Sequence, residues 1–180
     1  MSKIAFLFPG QGAQKVGMAK DFYENSTLAR QLFDEADAAL DFDLKDTCFE
    51  ENEQIHLTEY TQPCLVTACL AMAAELRKRG FRPDMTAGLS LGEYAAIAAA
   101  GGMSPPDAIR LVRKRGLLMQ NTIPAGEGAM CAVLGMETAV IETVLSGVDG
   151  VTIANYNCPG QLVITGRTAV VETAAEKLKA

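Results

Sequence analysis

Apolar positions along the chain follow two different spacings, which predict strands and helices in a mixed order. Short apolar runs bounded by glycine or proline predict buried strands at residues 4–8 and 85–88. Elsewhere in the first two thirds, apolar residues recur at helical spacing, and alanine, leucine and methionine are abundant. The predicted helices cover residues 18–23, 28–40, 63–79, 91–100 and 104–121. This pattern predicts an α/β fold.

Proline and glycine define the ends of two of these helices. Pro63 is predicted to begin the third helix, because proline is favoured in a first turn, and Gly80 is predicted to end it. Ser104 is the predicted N-cap of the last helix. Two prolines follow it, and Asp107 lies three residues on, as in a capping box.

The pattern changes after residues 124–128, a segment with proline and glycine that is predicted to be a linker. Beyond it, strands are predicted at 129–134, 151–155 and 161–165, and helices at 137–145 and 168–179. The order β-α-β-β-α is that of a ferredoxin-like unit that lacks its last strand. We therefore predict two domains, residues 1–124 and 125–180. Two strands are few for the sheet of the first domain, so the chain is expected to be the front portion of a longer protein.

Charge is unevenly distributed. The net charge is −6, but ten acids and a single base, Lys45, lie between Asp34 and Glu59. This acidic block is predicted to be a solvated surface. The rest of the chain is mildly basic, which does not indicate nucleic-acid binding.

Composition excludes several other classes of protein. No apolar run reaches the roughly 18 residues of a membrane span, and Pro9 interrupts the N-terminal apolar run too early for a secretory signal. We therefore expect a cytoplasmic protein. The five cysteines lack C-x-x-C spacing, so they are predicted to be core residues, with no metal site.

A Gly-x-Ser-x-Gly pattern at residues 88–92 places Ser90 between a predicted strand and a predicted helix. That setting is typical of a nucleophile elbow. The backbone N–H of Leu91 and the helix dipole would then point at developing negative charge. A serine nucleophile needs a base, and the single histidine is His56. It lies in a polar segment and is predicted to be an ordinary surface residue.

Arg115 has an unusual place on the predicted helix 104–121. On a helical wheel, Arg110, Arg113 and Lys114 cluster on one side, which is predicted to be solvated, and Arg115 falls on the opposite side. Its neighbours at three and four residues are all apolar: Leu111, Val112, Leu118 and Met119. A charge on such a stripe needs an anion. The partner is either Glu93, in a structural salt bridge, or a substrate carboxylate.

Residues 8–14 form a glycine loop after the first predicted strand. Lys15 occupies the position of the third glycine of a dinucleotide fingerprint, and a Gly-Lys-Ser/Thr sequence is also absent. Taken alone, the loop is a tight structural turn.

Together these motifs resemble the malonyl-CoA:acyl-carrier-protein transacylases, the acyltransferases of fatty-acid synthesis. Residues 8–14, 88–94 and 115–120 carry the resemblance, which residues 61–63 and 155–161 extend. It covers the whole chain in order. Leu89 departs from the histidine that family members often carry before the serine.

The resemblance implies an α/β-hydrolase-like large subdomain with a ferredoxin-like small subdomain, both incomplete here. It implies that Ser90 accepts a malonyl group from malonyl-CoA and passes it to acyl carrier protein, without a cofactor. The backbone N–H groups of Gln11 and Leu91 would form the oxyanion hole. Arg115 would hold the malonyl carboxylate, and Gln62 would border the pocket.

The family's catalytic histidine lies downstream of the matched region, so the resemblance implies activity for the whole protein. Two alternatives stay open. The same elbow would serve a serine esterase or thioesterase of α/β-hydrolase type. A non-catalytic fragment would instead bind carrier protein through its basic residues, Arg110, Arg113 and Lys114.

Overall fold

The computed structural model describes residues 3–123 and 126–179, which fold into two compact units that divide between Asn121 and Thr122. The domain boundary expected from the sequence falls at residues 124 and 125, which lie outside the described part of the chain. Each unit has its own cluster of buried apolar side chains.

The first unit contains a parallel pair of strands, β1 (Ala5–Phe8) and β2 (Met85–Gly88), in register from Ala5 opposite Met85 to Phe8 opposite Gly88. The carboxyl ends of parallel strands meet at one edge of a sheet. The glycine loop that follows β1 and the Ser90 turn that follows β2 therefore emerge side by side.

Six helices and one 3₁₀ turn surround this strand pair within the described residues. They are α1 (Lys20–Asn25), α2 (Thr27–Ala38), α3 (Leu44–Phe49), the turn Gln54–His56, α4 (Thr58–Lys78), α5 (Gly92–Ala99) and α6 (Pro105–Thr122). The long helix α4 is buried along most of its length and packs against both α2 and α5. Ser104 caps α6 as predicted, since its hydroxyl accepts a hydrogen bond from the Asp107 N–H.

The predicted start of α4 was wrong, because the helix begins at Thr58 and Pro63 lies inside it. Proline has no N–H, so it leaves the carbonyl four residues earlier, that of Glu59, without its helical donor. Arg113 on α6 donates its Nη1–H to that carbonyl oxygen at 2.9 Å. A donor from another helix thus compensates for Pro63, which local sequence patterns do not reveal.

The acidic block is not simply a solvated surface, which corrects the expectation from its charge. It contains α3 and the 3₁₀ turn, neither of which the sequence predicted, and these bury Leu44, Cys48 and Ile55 completely. Two of its carboxylates, on Asp41 and Glu59, form ion pairs with a single buried arginine of α6.

One side of the first unit carries an apolar groove of about 510 Å³ between β1 and α4. All four residues of β1 line it, together with Leu65, Met72 and other side chains of α4. Leu7 in the middle of β1 is 76% exposed. Within the described residues β1 pairs with β2 alone, so one edge of this apolar strand is open.

The second unit follows the predicted order of elements. They are β3 (Gly128–Leu134), α7 (Thr138–Leu145), β4 (Val151–Cys158), β5 (Gln161–Arg167) and α8 (Thr168–Lys179). The strands form an antiparallel sheet in the order β3-β5-β4. Its core is built from Val133, Ile141, Leu162 and Ile164. In the described part of either unit, none of the helices has the length and apolar content needed to cross a membrane.

Candidate active site

Ser90 lies in a strained turn between β2 and α5, with φ at +50°. A left-handed backbone at a residue other than glycine costs about 1–3 kcal/mol and is common at functional sites. The two flanking glycines are required by packing. A Cβ on Gly88 would lie 2.0 Å from the carbonyl carbon of Gly92, and one on Gly92 would lie 2.2 Å from the Phe8 oxygen. The Gly-x-Ser-x-Gly pattern therefore forms the predicted sharp turn.

The glycine loop lies directly against this turn. The Leu89 N–H donates to the Phe8 oxygen at 3.1 Å, and a Cβ on Gly10 would approach the Leu89 oxygen to 3.0 Å. Within the described residues, the backbone N–H groups of Gln11 and Leu91 donate to no protein acceptor. Gln11 is exposed and Leu91 is completely buried, and the Leu91 N–H lies at the N-terminus of α5, where the helix dipole favours negative charge.

Arg115 reaches the nucleophile. Its Nη2 donates to the Ser90 Oγ at 3.1 Å, and its Nη1 donates to the Gln62 Oε1 at 2.8 Å. The guanidinium carbon lies 5.6 Å from the centre of the Tyr94 ring. Among the ion pairs of the described residues none includes Arg115, so the salt bridge with Glu93 is not formed. The positive charge beside Ser90 is thus held by neutral groups.

A buried amide orients that arginine. Gln62 is completely buried, and its Oε1 faces Arg115 while its Nε2 donates to the Gln11 Oε1 at 3.4 Å and to the Met119 Sδ at 3.3 Å. An amide fixed on its nitrogen side presents only its oxygen to the guanidinium. Hydrogen bonds thus link four of the five residues predicted for the site: Gln11, Gln62, Arg115 and Ser90.

Thr58, the first residue of α4, belongs to the same network but was not identified from the sequence. Its Oγ1 accepts from the Gln11 Nε2 at 3.0 Å, and its backbone N–H donates to the Gln120 Oε1 at 3.1 Å. Gln120 lies in one of the motifs that carried the family resemblance. The unpaired N–H groups in the first turn of α4 need acceptors, and the side chain of Gln120 supplies one from a distant part of the chain.

The surroundings of Arg115 differ from the buried stripe that the helical wheel predicted. Leu111, Leu118 and Met119 are 44%, 61% and 47% exposed, and Arg115 itself is half-buried. Arg113, assigned to the solvated face, is instead the buried arginine of α6. A wheel gives the angle of each side chain but not which neighbouring elements cover it, and the first turn of α4 covers Arg113.

His56 ends the 3₁₀ turn and is exposed, and no hydrogen bond joins it to Ser90 in the described structure. This position agrees with an ordinary surface histidine. No cluster of three or more histidine, cysteine or acidic residues suited to a metal ion occurs among residues 3–123 and 126–179.

Comparison with known proteins gives a consistent result. A family model described as the acyl transferase domain matches residues 5–180. The chain is 50% identical to the malonyl CoA-acyl carrier protein transacylase of Bacillus subtilis over 184 residues, which cover 99% of this chain and 58% of the relative.

Solved structures agree with that match. The malonyl CoA-acyl carrier protein transacylase of Clostridium perfringens has a TM-score of 0.90 at 40% identity, over 99% of this chain and 58% of that one. A malonyl-transacylase solved in complex with its type II polyketide-synthase acyl-carrier protein also scores 0.90, at 38% identity, over 99% and 59% of the two chains. The chain therefore spans less than three fifths of the length of these relatives. The family resemblance read from the motifs is confirmed, and this chain belongs to the acyl transferase domain family.

Proposed function

We propose that the full-length protein transfers a malonyl group from malonyl-CoA to the phosphopantetheine thiol of acyl carrier protein, for fatty-acid synthesis. The observation that carries this proposal is the 3.1 Å contact between the Arg115 guanidinium and the Ser90 Oγ. A malonyl thioester carries a carboxylate one methylene away from the reacting carbonyl. A planar cation next to the nucleophile selects such a substrate over acetyl-CoA.

In the first half-reaction, the Ser90 Oγ attacks the thioester carbonyl as its proton is removed, and the carbonyl oxygen becomes an oxyanion. The free N–H groups of Gln11 and Leu91 are the proposed donors to that oxyanion. The carbon–sulfur bond then breaks, CoA leaves as its thiol after taking up a proton, and a malonyl-serine ester remains. In the second half-reaction the carrier thiol attacks the ester, and Ser90 recovers its proton.

Arg115 also supports a substrate-dependent release of the nucleophile. Without substrate, its Nη2–H occupies a lone pair of the Ser90 Oγ. A malonyl carboxylate is a stronger acceptor than a hydroxyl, so the donor transfers to the carboxylate and frees the serine oxygen for attack. An acetyl group offers no such acceptor. Gln62 holds the guanidinium in place through the exchange.

The proton acceptor for Ser90 is not assigned to His56, which is exposed. We propose that the whole protein supplies it from outside these 180 residues. We also propose that residues 1–124 form an α/β-hydrolase-like subdomain and residues 125–180 part of a ferredoxin-like one, in a cytoplasmic protein. The β-α-β-β-α order and the antiparallel sheet of the second unit support the ferredoxin-like description of residues 125–180.

The proposal is tested by acylation of the full-length protein with radiolabelled malonyl-CoA, followed by peptide mapping. The label is expected on Ser90 and should be absent from Ser90→Ala. Arg115→Ala should lower kcat/KM for malonyl-CoA about 10- to 100-fold, the contribution of a charge-assisted hydrogen bond, and leave acetyl-CoA nearly unchanged. His56→Ala should acylate at the wild-type rate.

Two results would contradict this assignment. Equal labelling by acetyl-CoA and malonyl-CoA would show that Arg115 does not select the malonyl carboxylate. Rapid hydrolysis of malonyl-CoA without any carrier protein would favour the esterase or thioesterase, an alternative that the acyltransferase relatives do not favour.

A further inference from the structure

Arg113 is a buried cation that the proposed chemistry does not use. Its side chain is 9% exposed, and its guanidinium forms a two-pronged pair with Asp41, with Nε–Oδ1 at 2.9 Å and Nη2–Oδ2 at 3.1 Å. Burial alone would lower the pKa of Arg113, but the hydrogen bond and charge of Asp41, with those of Glu59, outweigh burial and raise it. The cation is therefore retained because it is fully paired.

Two aromatic rings pack against the same guanidinium. Its central carbon lies 4.8 Å from the centre of the Phe42 ring and 4.9 Å from that of Tyr60, and the two rings contact each other edge to face. An arginine that forms a bidentate ion pair and also packs against two rings has little rotational freedom. Arg113 is therefore a rigid link between α6, the loop after α2, and the first turn of α4.

The link to α4 replaces a bond that the helix lacks. Pro63 supplies no N–H to the Glu59 carbonyl, and the Arg113 Nη1 donates to that oxygen at 2.9 Å and to the Glu59 Oε2 at 3.0 Å. One residue of α6 thus holds both the backbone and the side chain of the first turn of α4. Breaking this bond would leave a helical carbonyl without a donor, and the turn would shift to find one.

The first turn of α4 in turn sets the position of the malonyl-selecting pair. Gln62 follows Glu59 by one helical turn, and Arg115 follows Arg113 by two residues on α6. Helices α4 and α6 also approach closely at Gly116, near the Arg113–Glu59 and Arg115–Gln62 contacts. A Cβ on Gly116 would lie 2.8 Å from the Glu59 Cα. A displacement of the first turn of α4 therefore moves Gln62 relative to Arg115.

We propose that Arg113 is a positioning residue: it fixes α6 against the first turn of α4, so that Gln62 holds Arg115 at Ser90. The proposal rests on the proposed function, in which Arg115 binds the malonyl carboxylate. Arg113 acts through Arg115 and touches no reacting atom, and its burial removes it from the basic surface that was considered for carrier binding.

The test compares acylation of the full-length protein by malonyl-CoA and by acetyl-CoA, without carrier protein. Arg113→Gln should lower kcat/KM for malonyl-CoA about tenfold, as expected when a binding group is slightly misplaced. It should change kcat/KM for acetyl-CoA less than about twofold. Acetyl transfer does not use Arg115, so a variant that merely loses folded protein would lower both substrates equally. Arg110→Gln, which removes an exposed cation of the same helix, should change neither.

Charge and position are separated by Asp41→Asn, which changes the net charge in the opposite sense to Arg113→Gln. If Arg113 acts only through its charge, Asp41→Asn should raise kcat/KM for malonyl-CoA. If Arg113 acts by positioning, Asp41→Asn should also lower kcat/KM for malonyl-CoA, by about threefold, because the bidentate ion pair between Arg113 and residue 41 weakens. The Asp41 side chain is 68% exposed, so this variant keeps the test valid if Arg113→Gln does not fold. Arg113→Lys, which keeps the charge and loses the fork, should stay impaired.

Four outcomes would overturn the inference. They are unchanged malonyl preference in Arg113→Gln, an equal loss with both substrates, wild-type preference in Arg113→Lys, and a gain in kcat/KM for malonyl-CoA in Asp41→Asn. Arg115→Ala separates the two proposals. If Arg115→Ala leaves the preference for malonyl unchanged, the proposed function fails; if it removes the preference and Arg113→Gln does not, only the positioning role fails. In the Arg115→Ala background, Arg113→Gln should cause no further loss of malonyl preference.

Discussion

Gly92→Ala is the most direct test of the close approach between the elbow and the glycine loop. The added Cβ would lie 2.2 Å from the Phe8 oxygen and 2.7 Å from both the Phe8 carbon and the Pro9 oxygen. The first distance is about 1.2 Å short of the 3.4 Å at which ordinary contact begins. All three atoms are backbone, so rotation of a side chain cannot relieve the overlap. The end of β1 must separate from the start of α5.

Overpacking typically costs about 1–3 kcal/mol, and backbone overlap places this case at the upper end, while the better helix propensity of alanine returns about 1 kcal/mol. We expect a net loss of about 2 kcal/mol, measured by urea denaturation followed by circular dichroism. Acylation should fall by about 100-fold, because the Phe8 carbonyl anchors the Leu89 N–H beside Ser90.

Gly147→Ala is the matched control. A Cβ there has its nearest neighbour, the Val144 oxygen, at 3.7 Å, which is ordinary contact. Its stability should stay within about 0.5 kcal/mol of the wild type. If Gly92→Ala were as stable and as active as Gly147→Ala, the close approach of the loop and the elbow would be refuted.

Other outcomes follow from burial, capping and titration. The exposed Cys158 should react fastest with Ellman's reagent at pH 8, followed by the half-buried Cys131, because the other three thiols are buried; burial raises the pKa of Cys69 to about 11, and the neighbouring Cys64 thiol together with burial raises that of Cys48. Ser26→Ala should cost at least about 2 kcal/mol in a urea titration, since the Ser26 hydroxyl accepts from the Ala29 N–H, which caps α2, and donates to the buried Glu75 carboxylate at 2.6 Å. The hydrogen bond from Arg113 lowers the pKa of Asp41. The ionised Asp41 therefore stabilises the fold fully above the ordinary carboxyl pKa, and this stabilisation is lost as pH falls from there through the lowered pKa. Asp41→Asn should flatten the decline of the urea midpoint between about pH 5 and pH 2.

The elbow was predictable from the sequence because its determinants are local. Two glycines, the serine and the flanking strand and helix all lie within residues 85–99. The same holds for Ser104, whose hydroxyl bonds a residue only three positions away. Elements with strong internal periodicity, such as α8, were predicted to the residue.

The errors arose where distant residues decide the structure. Pro63 reads as a helix start until Arg113, fifty residues later in the chain, supplies the missing donor to the Glu59 carbonyl. The wheel placed Arg113 in solvent because it does not show that α4 lies over that face. The charge of the acidic block likewise concealed α3, whose buried face consists of Leu44, Thr47 and Cys48. In each case, long-range packing outweighs the local pattern.

The apolar groove beside β1 has a practical consequence for work with the 180-residue polypeptide. An open edge on a short apolar strand, with Leu7 76% exposed above it, is a template for pairing with a second chain. The average molar mass measured by light scattering should therefore rise with protein concentration, and the dye ANS should fluoresce in the presence of the polypeptide. Stability comparisons between variants of this polypeptide belong at one low, matched concentration, since an unfolding midpoint that changes as the sample is concentrated would report self-association.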